Sequence, residues 1–178
     1  MATLFFGLVL LIGLILLRSL IRMRPADFAD ADTVLALERY FTGHLRGWGV
    51  LEDRFGRVRR QFQIESSGQV YGDTLQIDQT ITFDDGRTHH RVWSFQRRPD
   101  GRYIGTANDV VGEAVGSRAG NSIRLNYTVR RRVLGLTQRA QVEDWMFLQP
   151  GGVVVQRAQV MKWGFLVGRI SAFYLADS

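Results

Sequence analysis

No cysteine occurs anywhere in the chain, which excludes disulfides, thiolate metal sites, thiol nucleophiles and a lipid attached through cysteine. Proline is nearly as scarce, with 3 residues against 19 glycines, so the backbone has few rigid stops and many positions suited to tight turns. Lysine occurs once, as Lys162, and the formal net charge of +6 therefore rests almost wholly on arginine. A positive balance draws anionic partners, and the attraction weakens with salt. No nucleic-acid-binding motif accompanies the charge, so membrane lipid is the expected partner and nucleic acid is not. Ser and Thr are scattered without a nucleophile-elbow pattern. The spaced glycines near Gly105 are followed by no helix pattern that would make a phosphate loop. No cofactor is expected.

Long hydrophobic runs are also lacking, with one exception. Ala2 to Leu17 carries no charge, and apolar character resumes at Leu20 and Ile21 after Arg18. A spanning helix needs about 20 residues; if Arg18 snorkels to the interface, the run reaches that length. No basic residue precedes it, while Arg18, Arg22 and Arg24 follow, so residues 1–24 read as an uncleaved single-pass anchor rather than a signal peptide. The positions of those arginines favour a cytoplasmic body.

Residues 25–43 read as a linker and short helix. Arg24-Pro25 stops the anchor, Ala26 to Asp32 is acidic, Asp32 is placed to cap a helix, and Val34, Leu37 and Phe41 share one helical face before Gly43. From His44 to Ser178 the period becomes two. The clearest strand is Asp73 to Asp84, with Leu75, Ile77, Ile81 and Phe83 on one face and Thr74, Gln76, Asp78, Thr80 and Thr82 on the other. Turn signals fall at Asp53-Arg54-Phe55-Gly56, Ser66-Ser67-Gly68, Asp84-Asp85-Gly86, Pro99-Asp100-Gly101, Ala119-Gly120-Asn121 and Pro150-Gly151-Gly152. The expected class is therefore all-β, an antiparallel up-and-down meander. Such a meander removes its edges by closing into a barrel, a strongly curled half-barrel being the alternative. A barrel of about eight strands holds either a filled core or one small ligand.

The densest polar stretch runs from Gly105 to Gly116 and contains Asn108, Asp109 and Glu113. On a strand the two carboxylates share a face, an arrangement open to acid–base chemistry. A buried ion pair with Arg91 or Arg157 is the more ordinary outcome. Arg91 and Trp93 share a strand face, and Asp144-Trp145 lies on another strand. Near a barrel mouth these groups suit an anionic headgroup; as core devices they seal the barrel instead. The candidate ligand-binding set is thus Arg91, Trp93, Asn108, Asp109, Glu113, Asp144, Trp145 and Arg157. His89 and His90 alternate across a strand and do not chelate one metal. Arg57-Val58-Arg59-Arg60, Arg97-Arg98 and Arg130-Arg131-Arg132 read as solvated strand ends, with contact to anionic lipid as the functional alternative.

Tyr40-Phe41-Thr42-Gly43, Asp53-Arg54-Phe55-Gly56, Arg91-Val92-Trp93, the Gly105 to Ala114 stretch, Asp144-Trp145-Met146 and Met161-Lys162-Trp163-Gly164-Phe165 together resemble a bacterial family numbered 3833 among the domains of unknown function. The resemblance implies a lipocalin-like barrel, and Gly47-Trp48 is similar to a lipocalin opening. It also implies small envelope proteins, often lipoproteins, near lipid-modifying functions such as cyclopropane-type fatty acid synthesis. This chain departs in lacking the lipoprotein cysteine. The expected location is the bacterial inner membrane, with the resemblance favouring a periplasmic body and the charge rule a cytoplasmic one. Three functions remain open: a membrane-anchored binder of a fatty acid, phospholipid or small hydrophobic ligand, accessory to fatty-acyl modification; an enzyme on the same barrel using Asp109 or Glu113; and a structural subunit docking a membrane-protein partner.

Overall fold

The structure, a computed structural model, describes residues 6–7, 23–133 and 136–177. The proposed anchor helix lies outside the described residues except at Phe6, Gly7, Met23 and Arg24. Among the described residues no helix is long and apolar enough to cross a membrane.

Ten strands form one closed antiparallel barrel: β1 (Gly43–Asp53), β2 (Val58–Tyr71), β3 (Thr74–Phe83), β4 (Thr88–Arg97), β5 (Tyr103–Ala107), β6 (Ala114–Ala119), β7 (Ser122–Val133), β8 (Leu136–Leu148), β9 (Val154–Lys162) and β10 (Phe165–Ala176). Each strand pairs with its neighbour in sequence, and β10 closes on β1 from Leu45↔Ala176 to Asp53↔Gly168. Closure leaves no unpaired edge strand among the described residues, as the meander pattern predicts. Alternation sets the core. Leu75, Ile77, Trp93, Phe95, Leu125, Tyr127, Val142 and Tyr174 are buried inside, while Gln76, Asp78 and Thr82 on β3 are exposed.

Two local expectations are corrected. The helix is a single turn, α1 (Leu37–Tyr40), with Ala36 rather than Asp32 at its N-cap position and no side-chain cap bond. Tertiary packing decides it: Leu35, Leu37 and Phe41 are buried and Val34 is exposed. Ser66-Ser67-Gly68 is not a turn either, since β2 runs through it to Tyr71. Ser66 faces the interior, and at Gly68 an added Cβ would lie 1.6 Å from the Phe41 carbonyl oxygen. A residue that looks like turn chemistry is therefore the seat on which the segment after α1 rests.

That segment closes one end of the barrel. The Tyr40 hydroxyl lies 2.6 Å from the Gly152 carbonyl oxygen and 2.8 Å from that of Tyr174, and accepts from the Val154 amide at 3.1 Å. Upstream, a 3-10 turn at Pro25–Phe28 lies against the outer wall, where the Phe28 ring meets Trp145 and Phe147 edge-on, with centroids 5.9 Å and 5.1 Å away.

Candidate functional site

Along the strands the inward-facing side chains become less enclosed with distance from α1. On β3, Leu75, Ile77 and Gln79 are buried but Ile81 and Phe83 are half-buried; on β4, Phe95 and Trp93 give way to Arg91 and His89; on β8, Met146, Asp144 and Val142 give way to Ala140. Phe62, Ile81, Ala140, Val160 and Ile170 all pack against the core yet keep solvent contact. The interior is thus sealed at the α1 end and keeps solvent contact at the other, a mouth among the β1–β2, β3–β4 and β9–β10 turns whose lining is mostly apolar but carries Arg91 and His89 on β4.

A polar belt crosses the interior below this mouth. Tyr127 donates to Asp144 Oδ2 at 3.2 Å, Gln156 Nε2 donates to the same oxygen at 2.6 Å, and the Tyr174 hydroxyl donates to Gln156 Oε1 at 2.9 Å. Gln79 lies beside the Tyr174 hydroxyl. Its cross-strand neighbours are Ser66 on β2 and Arg91 on β4. Arg91 Nη2 donates to Asp109 Oδ2 at 2.5 Å, and His89 Nε2 approaches the same oxygen at 3.3 Å.

The electrostatics separate the two buried carboxylates. Burial alone pushes Asp144 up, and it ends at about 6 because the bonds from Gln156 and Tyr127 and the charge of Arg91 offset only part of that penalty. Burial also acts on Asp109, but there the bonds from His89 and Arg91 and the Arg91 charge prevail, holding the carboxyl well below its usual range. Tyr127 and Tyr174 are both raised, first by burial and then by the charge of Asp144. Four buried polar atoms along the belt, Ser66 Oγ, Arg91 Nε, Asp109 Oδ1 and Asp144 Oδ1, have no hydrogen-bond partner among the described residues.

The sequence-derived candidates divide accordingly. Arg91, Trp93, Asp109 and Asp144 face the interior together; the Trp93 ring stacks on Phe95 at 4.9 Å and meets Tyr127 edge-on at 5.3 Å. Asn108 is exposed and acts as a splice: its side-chain oxygen accepts from the Val92 amide at 3.2 Å, and its Nδ2 donates to the His90 carbonyl at 2.9 Å. The loop it opens continues the wall on the other side, where the Arg130 amide donates to the Asp109 carbonyl at 2.8 Å and the Val111 amide to that of Thr128 at 2.8 Å. Asp109 and Glu113 therefore sit on a loop between β5 and β6 rather than on one strand face, with Asp109 buried and Glu113 exposed. Trp145 lies on the outer face, covered by Phe28, and Arg157, its cross-strand neighbour, is exposed. Sequence reasoning missed Gln79, Tyr127, Gln156 and Tyr174. Their signal was a polar atom at an apolar-parity position, as with Gln79 between Ile77 and Ile81.

A concavity of about 660 Å³ lies outside the sealed end between Glu38, Val70, Asp73, Arg97 and Tyr103. There the Tyr103 hydroxyl donates to Glu38 Oε2 at 2.6 Å, and Arg97 approaches the other oxygen at 3.5 Å. Burial and the bond to Glu38 push Tyr103 up to about 12. These contacts pin α1 to the barrel.

Comparison with known proteins places this architecture. Among solved structures, the S-type phycobiliprotein lyase CPES from Guillardia theta shares the fold, with a TM-score of 0.61 over 88% of this chain and 99% of that one at 8% sequence identity. None of the curated proteins matches. A family model matches residues 14–175, and the chain belongs to that family, DUF3833, described as proteins of unknown function.

Proposed function

We propose that this protein is a membrane-anchored binder of a lipid or small hydrophobic ligand, such as a fatty acid or phospholipid, which enters the barrel through the mouth opposite α1 and serves fatty-acyl modification. Residues 1–24 supply the anchor, residues 25–43 the linker and seal, and residues 44–178 the barrel, held at the bacterial inner membrane. One observation carries the reading: apolar walls that keep solvent contact at Phe62, Ile81, Ala140, Val160 and Ile170 lead down to a belt with buried unpartnered polar atoms. Ligand sites typically combine mostly apolar linings with a few convergent polar groups. An apolar body lies along the walls in this scheme, and a polar end meets Arg91 and Asp144. The shared fold of a phycobiliprotein lyase supports the view that such a barrel engages another molecule.

The test is native mass spectrometry of protein released gently from membranes, followed by extraction and identification of what travels with it. A stoichiometric fatty acid or phospholipid is expected. Ala140→Trp, at the mouth, should lose it, and Arg157→Gln, on the outer face, should keep it. A stably folded barrel that carries no lipid and takes up no apolar fluorescent probe refutes the reading.

An enzymatic reading on the same barrel draws its support from Asp144 rather than from Asp109 or Glu113. A buried carboxyl near 6 is poised to exchange a proton at neutral pH, whereas Asp109 is locked in its ion pair. Unchanged lipid products in cells carrying Asp144→Asn would remove that support.

A further inference from the structure

Two hairpin turns at the mouth, β1–β2 and β9–β10, and the neighbouring start of β8 carry the most exposed apolar side chains of the barrel among the described residues. Phe55 is 74% exposed, Trp163 85%, Phe165 74% and Leu136 68%. Two of these tips are paired with cations: Arg54 Cζ lies 4.6 Å from the Phe55 ring centroid, and Lys162 Nζ lies 4.4 Å from that of Trp163. The β3–β4 sector of the rim differs, since Asp84, Asp85, Arg60 and Arg87 form a charged cluster there. Exposed apolar tips ringed by basic residues are not explained by folding, because they bury nothing.

Two unfavourable features fall in the same sector. Trp163 is the non-glycine residue with positive φ among the described residues, at 51°. It forms a two-residue hairpin with Gly164 at φ 80°, a geometry that favours Asn-Gly and penalises tryptophan. Arg130 and Arg139 are exposed and directly opposed across β7 and β8, an arrangement of like charges that destabilises a sheet. An anionic surface would relieve that repulsion, and burial of the exposed indole in an interfacial layer would offset the backbone cost of the turn.

We propose that this sector of the rim docks on an anionic lipid bilayer. Phe55, Leu136, Trp163 and Phe165 enter the interfacial layer, and Arg54, Arg139 and Lys162 meet lipid headgroups, so that the mouth opens onto lipid. The docking surface goes beyond the ligand reading, and its test does not depend on the barrel admitting a ligand.

The absence of cysteine allows clean labelling of the full chain. Phe55→Cys and Leu136→Cys, each carrying an environment-sensitive fluorophore, are reconstituted in vesicles of phosphatidylcholine with about one quarter phosphatidylglycerol and exposed to nitroxide-bearing lipid. Asp100→Cys at the sealed end is the control. Quenching is expected at 55 and 136 and not at 100. With the label at 136, Arg54→Gln should lower the docked-to-undocked ratio about fivefold, as expected for one cation near an anionic surface. Trp163→Asn provides the discriminating signature: the melting temperature rises because the turn becomes favourable, while quenching at 136 falls. Quenching at 100 equal to that at 55, no quenching at 55 and 136, or quenching at 136 undiminished by Trp163→Asn overturns the proposal.

Discussion

Asp144 gives the fold a pH dependence opposite in sense to that of its other perturbed carboxylates. The side chain is fully enclosed, and its pKa rises from an ordinary 3.8 to about 6. A carboxyl whose native pKa exceeds its unfolded value favours the fold when protonated, so the contribution is complete below 3.8 and is lost as pH rises through about 6. Each pH unit between the two values is worth about 1.4 kcal/mol, giving a loss of about 3 kcal/mol between pH 4 and pH 7. For a domain of this size that corresponds to roughly 6–12 °C in melting temperature. Asp144→Asn removes the titration while keeping an oxygen for Tyr127 and Gln156, and its buried amide adds an offset that does not vary with pH. Asp109 and Asp85, the latter at about 2, are lowered instead; they support the fold above their unfolded values and lose that support only in acid, equally in both proteins. Thermal unfolding by circular dichroism in one mild detergent, from pH 4 to pH 8, isolates the term as the difference between wild type and D144N. The gap in favour of the variant should widen by roughly 6–12 °C up to pH 7.5 and then level off. Parallel curves over that range refute the assignment.

Three further outcomes follow from the same geometry. Arg91→Met strands Asp109 with half its compensation and should cost about 3–5 kcal/mol in urea unfolding; the double variant with Asp109→Asn should recover most of that, and a double variant as unstable as the single one contradicts the pairing. Asn108→Ala removes two hydrogen bonds that splice the β5–β6 loop to β4, at about 1–3 kcal/mol, and hydrogen exchange should quicken at Asp109 to Val111 before it does in β8 or β9. Gly68→Ala forces a methyl group toward the Phe41 carbonyl and should cost about 1–3 kcal/mol, with faster proteolytic cleavage between Leu35 and Thr42; resistance equal to wild type means that the seal does not rest on Gly68.

The barrel was largely legible in sequence because its two signals are local. The Asp73 to Asp84 pattern became β3 at Thr74–Phe83, and five of the six expected turns lie between strands, because glycine supplies the positive φ at Gly56, Gly86, Gly101, Gly120, Gly151 and Gly152. Failures occurred where a residue answers to a distant partner. Ser66 and Gly68 have turn chemistry, yet one serves the interior and the other the chain after α1. Asp32 looks like a cap, yet burial of Leu35 moves the helix onward. For the site, strict alternation already placed Asp144 and Trp145 on opposite faces, so they could never have formed one clamp. Tyr127, Gln156 and Tyr174 were readable as polar atoms at inward parity. The positions of Asp109 and Glu113 were not, because β5 and β6 stop short and a loop completes the wall, which no local periodicity encodes.

The polar belt also bears on why the barrel is built as it is. A carboxyl enclosed without full pairing destabilises the native state, and packed apolar side chains of similar volume are often the more stable solution. Ser66 Oγ, Arg91 Nε, Asp109 Oδ1 and Asp144 Oδ1 are buried without a hydrogen-bond partner among the described residues, and each such atom costs about 1–3 kcal/mol. An interior that served packing alone would avoid those costs by carrying apolar side chains at these positions. These four atoms lie along the belt, with both donors and acceptors represented, whereas Asn121 Oδ1 at the α1 end and Arg124 Nε on the outer face are unpartnered elsewhere among the described residues. That arrangement stabilises little by itself and is the one that the proposed binding of an amphipathic molecule would use, which is why the binding reading is proposed ahead of the structural one.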